Sequence, residues 1–121
     1  MKPLDWTLPD LAEGLRCYRA EEFFAAHEHW EAVWLKLPEP EKTFLQGLIQ
    51  VAAAFHHLQR CNREGTASLL RRALRRLDPA SPAFAGISVA PLCQEIREWL
   101  RALEAGDALT GLRFPQIRLG R

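Results

Sequence analysis

The histidine, acid and amide side chains that can hold an ion or move a proton gather in two stretches of this chain. In the first, His27 and Glu31 are four residues apart. On a helix that spacing stacks an imidazole beside a carboxylate, so both can reach one ion or one ligand. In the second, Gln46, Gln50 and His57 recur at helical spacing on a segment that lacks Lys, Arg, Asp and Glu from Thr43 to Gln59. With Glu28, these residues form a candidate polar set: His27, Glu28, Glu31, Gln46, Gln50 and His57. Three chemistries suit it. His27, Glu31 and His57 are a ligand set for a divalent metal such as zinc or iron. Such an ion would activate water, with Glu28 or Glu31 moving protons, as in a small metal-dependent hydrolase. Without a metal, the same groups would orient a small-molecule ligand. They would equally form a buried hydrogen-bond network that fixes how two helices dock.

The motif stops short of HExxH, because Glu31 stands where the second His would be. It also lacks the repeated Glu-x-x-His pairs of di-iron bundles. The binding or structural readings therefore lead and the hydrolase is the alternative.

The elements that must position these residues are helices. Pro9 and Asp10 open a first helix, which Gly14 should weaken. A second is expected from about Glu21 to Leu37, stopped by the Pro38 to Pro40 segment. On it Phe23, His27, Trp30, Trp34 and Leu37 are spaced four, three, four and three, which sets His27 inside an aromatic stripe. Glu31 lies at the edge of that stripe, and His29 turns away from it toward solvent. A third helix, from about Pro40 to Arg60, is apolar almost all round, with Phe44, Leu48, Val51, Phe55 and Leu58 as its main face. Its amide and imidazole strip has no charged residue, so it should be covered or line a cavity. Gly47, Ala54 and Cys61 beside the strip would let another element come close.

Asn62 is the natural N-cap of a fourth helix, expected from about Arg63 to Leu77. A fifth should begin near Pro91 and end before Gly106, and the tail from Asp107 should be extended. No strand pair is evident. The expected fold is all-α: one domain over residues 1–121, a bundle of about five helices, with helices two and three central, antiparallel and joined by a short turn.

Composition narrows the function classes. A chain of 121 residues with 48% hydrophobic and 26% charged residues is ordinary for one globular domain. The net charge of +1 gives no global field for nucleic acid or an anionic membrane. Arg60, Arg63, Arg71, Arg72, Arg75 and Arg76 do form a basic face, but no aromatic residues interleave with them. A solvated face is the reading that follows, and nucleic acid is not an expected partner. The uncharged stretch is shorter than the ~20 apolar residues that a membrane span needs. Cys17, Cys61 and Cys93 are odd in number, widely spaced and free of any CxxC. They read as thiols of a reducing, cytoplasmic compartment, neither disulfides nor activated nucleophiles. Asp5 and Pro9 interrupt any secretory leader. The four tryptophans read as core and interface residues, and a homodimer is a possible assembly.

Two blocks of residues carry a resemblance. The first is Phe23-Phe24-Ala25-Ala26-His27-Glu28, followed by Trp34. The second is Gln46-Gly47-Leu48-Ile49-Gln50-Val51-Ala52-Ala53-Ala54 with His57, then Asn62 and Gly65-Thr66-Ala67. In that order they resemble the bacterial and archaeal family called domain of unknown function 309, most firmly over residues 10 to 77. The resemblance implies an all-α fold and supplies no activity or mechanism. Carried over by position, its polar residues are His27, Glu28, Gln46, Gln50, His57 and Asn62. The family pattern has Glu where this chain has Ala25, and Tyr where it has His56. The first departure removes a carboxylate that a carboxylate-rich metal centre would want.

Overall fold

Trp30 is fully buried, and what admits it is an absence on the neighbouring helix. A Cβ at residue 14 would run into the Trp30 indole, so Gly14 forms the notch in which the ring sits. The indole N–H donates to the Leu11 carbonyl across 3.3 Å. Gly14 therefore does more than weaken the first helix, as the sequence suggested: it sets how closely the second can pack.

The computed structural model describes residues 4–120; residues 1–3 and 121 of the expected 1–121 domain lie outside the described part. Five α-helices follow in order: α1 (Pro9–Arg19), α2 (Phe23–Trp34), α3 (Glu41–Gln59), α4 (Arg63–Leu77) and α5 (Val89–Ala105). Sequential helices are spatial neighbours, and α3 packs on both α2 and α4, so it lies in the middle of the series. Its buried Phe44, Leu48, Val51 and Phe55 supply the centre of the core.

Contacts at both ends make α2 and α3 antiparallel. At one end the Trp34 indole donates to the Lys42 carbonyl across 3.0 Å, and the Lys42 ammonium lies 4.8 Å over the same ring. At the other, Phe24 packs against His56 with ring centres 5.0 Å apart.

Helix α2 is shorter than its hydrophobic pattern. Glu21 has φ +62°, a left-handed residue that closes α1 through bonds from the Glu21 and Glu22 amides to the Tyr18 and Cys17 carbonyls. Glu21 therefore belongs to the turn, and α2 begins at Phe23. At its far end, Leu37 continues the stripe only in a turn beyond Trp34.

Two further features depart from the sequence reading. Residues Ala83–Phe84 (β1) and Ile87–Ser88 (β2) form a minimal antiparallel pair, with Gly86 at φ +79° in the turn between them. Alternation over two residues is too short to register as a strand pattern. The tail, extended as expected, packs back on the bundle. The Tyr18 hydroxyl donates to the Pro115 carbonyl across 2.6 Å, and the Trp99 indole N–H to the Arg113 carbonyl across 2.8 Å. Between them Phe114 lies parallel to Trp99 and meets Phe23 and Phe55 edge-on. Among the described residues, no helix is long and apolar enough to cross a membrane.

The Gly14 notch gives a sharp expectation. Gly to Ala on an open helix stabilises by ~0.5–1 kcal/mol. Here Gly14→Ala should destabilise by ~1–3 kcal/mol, the usual cost of overpacking, measured by urea unfolding. A neutral or stabilising change would mean that the indole does not need the notch.

Candidate functional site

The site begins with a chain reversal at the C-terminal end of α3. Cys61 has φ +60°, which turns the backbone so that the Asn62 amide returns to the His57 carbonyl across 2.9 Å. Asn62 is then the N-cap of α4, its Oδ1 accepting the Gly65 N–H at 2.9 Å. A Cβ on Gly65 would crowd the Asn62 amide, so that Gly leaves room for the cap.

Because Oδ1 is committed to the cap, the amide nitrogen of Asn62 is the group that faces His57. It lies 3.1 Å from His57 Nδ1 and donates to it. In a neutral ring the proton then resides on Nε2. One Asn thus starts α4 and selects the tautomer of a candidate site residue.

His57 lines a pocket of about 160 Å³ together with Phe24, His27, Ala53 and His56. Helix α2 contributes Phe24 and His27, and α3 contributes the rest. The small Ala53 leaves the space between the imidazoles. His27 is mostly covered, at 23% side-chain exposure, and its Nε2 lies 3.3 Å from Oε1 of the more open Glu31. Its Nδ1 is buried with no hydrogen-bond partner, and it alone holds that position among the described side chains. An unpaired buried nitrogen costs ~1–3 kcal/mol.

The sequence-selected residues do not all meet. His27, Glu31 and His57 belong to this end of the α2–α3 interface. Gln50 turns instead to α4, where Arg76 donates to its Oε1 across 3.4 Å. Gln46, one turn earlier, is half-buried on the same helix, and Glu28 is exposed. What covers the amide strip is α4: Leu77 packs over Gly47 so closely that a Cβ there would clash. The expected close approach at Gly47 therefore exists, but α4 makes it and the two amides leave the histidine pocket.

His56 is the pocket residue that sequence reasoning passed over. It entered only as a departure from a Tyr-bearing pattern, whereas its ring completes a group of three imidazoles beside Phe24. Adjacent His56 and His57 diverge by 100° on a helix, which hides from a one-face search that both can border one opening. Burial, then Arg60 and the rings of His57 and His27, hold the His56 pKa below the usual imidazole value.

Elsewhere, the ligand atoms of Glu13, Cys17 and His29 all lie within 4.8 Å of one another. His27, Glu31 and His57 do not form such a gathering among the described residues. On the basic face, Arg71 pairs with Glu104 at 3.0 Å, and Arg63 donates to the Asp107 carbonyl at 3.2 Å.

Residues 11–69 match the family described as Domain of unknown function (DUF309). The matched segment is 59 of the 121 residues. A relative from Aquifex aeolicus (strain VF5), described as an uncharacterized protein, is 30% identical over 98 residues. The aligned region covers 80% of this chain and 29% of the relative, so the chain spans less than a third of that protein's length. The DUF309 segment contains all five pocket residues, the Gly14 notch and the Asn62 cap, while α5 and the tail fall outside it.

In the matched segment, the lowered His56 pKa predicts pH-dependent folding. With its folded pKa lowered, the unfolded chain takes up the proton first as pH falls. The contribution is complete above the ordinary imidazole range, about 6.5. It is lost as the pH drops from there through the folded value. His56→Tyr should therefore reduce the difference in Tm between pH 7 and pH 5. An unchanged difference would show that His56 does not feel its surroundings in this way.

Proposed function

We propose that this domain is a non-catalytic binding module whose ligand seat is the histidine pocket between α2 and α3. One observation carries the reading: the buried, unpartnered Nδ1 of His27, on a ring that borders an opening. A protein that needed His27 only for packing would gain by replacing it with an apolar ring. Glu31 beside Nε2 favours the proton on that nitrogen, leaving Nδ1 as a lone pair. His57 offers the complementary Nε2–H. The pair suits a small ligand that carries both an N–H or O–H donor and an acceptor, with Phe24 and His56 as aromatic walls. The pocket is smaller than the roughly 300–1,000 Å³ clefts of drug-sized ligands, which points to a ligand of few heavy atoms. Glu28, Gln46 and Gln50 then serve outside the seat.

The second reading, a zinc or iron site in a small hydrolase using His27, Glu31 and His57, is favoured by one feature. A ring nitrogen free for a metal, with a carboxylate at the other nitrogen, is a common arrangement around metal-binding histidines. Against it, the Asn62 amide holds the His57 proton on Nε2, so neither nitrogen of that ring presents a free lone pair. Elemental analysis of untagged protein distinguishes the two: stoichiometric metal lost on His27→Phe would favour the hydrolase.

The test of the binding reading is thermal unfolding of His27→Phe. The variant removes the orphan nitrogen and keeps a ring, so stability should rise by about 1 kcal/mol. A clear loss of stability would make His27 a structural residue and end the proposal.

A further inference from the structure

The face between α1 and α2 holds a second cluster, unrelated to the pocket. Glu13 and Cys17 are one turn apart on α1, and His29 reaches them from α2. The Cys17 Sγ–H points to Glu13 Oε2 at 3.9 Å. Asp10 Oδ1 takes Nδ1 of His29 at 2.9 Å. With the N–H of that ring engaged by a carboxylate, its Nε2 is left as a lone pair, the arrangement that orients metal-binding histidines. A thiolate, an imidazole and a carboxylate are the donor types that zinc takes with three protein ligands, water or solvent filling the fourth position.

The site already carries a cation. Arg16 binds both Glu13 oxygens, its NH2 at 2.6 Å from Oε2, and the same nitrogen lies 3.5 Å from Cys17 Sγ. Its side chain is 58% exposed, so it can swing into solvent at little cost. We infer that Glu13, Cys17 and His29 form a binding site for a borderline divalent transition metal, zinc in type, whose charge replaces that of the Arg16 guanidinium. On binding, the Cys17 S–H bond breaks, sulfur keeps the electron pair and bonds the ion, and the proton leaves to solvent. An ordinary thiol is protonated near neutral pH, so it carries that proton until a metal displaces it.

Cobalt(II) reports such a site through a near-ultraviolet thiolate-to-metal charge-transfer band. The metal-free 121-residue protein titrated with cobalt(II) should develop the band with one equivalent and lose it when zinc is added. Cys61→Ser should keep the band, because Cys61 is exposed and is not among the clustered ligand residues. Cys17→Ser should abolish it. If that variant does not fold by circular dichroism, His29→Ala at a half-exposed position takes its place. Affinity for cobalt should then fall at least roughly tenfold, the least that even an outer-sphere partner costs. No band in the unmodified protein, a band lost with Cys61→Ser, or affinity unchanged by His29→Ala would overturn the proposal.

Discussion

The seating of the Trp30 indole in the gap left by Gly14 fixes how α2 can be rotated. With Trp30 turned fully inward, the helical period sets every other side chain of α2. Phe23, two turns back, enters the core beside Phe55 and Phe114. His27, one turn back, lies at the α2–α3 interface with its ring largely covered. Glu31, the next residue along, is rotated outward yet remains within reach of His27. A tighter helix pair at α1 is thus what presents an imidazole to the third helix.

At the opposite side of the pocket the constraint is hydrogen-bond accounting. The Gly65 amide needs an acceptor at the start of α4, and Asn62 supplies it. The remaining half of that side chain can only donate, and His57 is the group that receives. Backbone geometry at Cys61, an N-cap and an imidazole tautomer are therefore one linked arrangement. The two histidines reach the pocket with different surroundings. Nδ1 of His27 is left unpaired and Nδ1 of His57 is occupied, so in neutral rings the first keeps a lone pair there and the second keeps its N–H on Nε2.

Much of this was legible in the sequence, and the misses have physical reasons. Periodicity and proline punctuation located five helices, because 3.6-residue patterning and missing N–H groups act locally. The aromatic stripe located His27, and the cap rule located Asn62. The destination of Gln50 was not legible: which neighbour covers a strip depends on packing, and Gly47 against Leu77 decided it in favour of α4. His56 was missed because adjacent helix positions face different ways, yet a pocket at a helix end can collect both. His29, expected to be solvated, is held by Asp10, since the rotation that buries Trp30 turns its neighbour toward α1.

In the proposed seat, a lone pair on one imidazole faces an N–H on another. Nitrogen-15 chemical shifts of the histidine rings in the 121-residue protein, taken at a pH where the rings are neutral, read this directly. The proposed seat requires an unprotonated Nδ1 and a protonated Nε2 for both His27 and His57. A proton on Nδ1 of His57 would contradict it, because the Asn62 amide could not then face that nitrogen and the pocket would lose its donor.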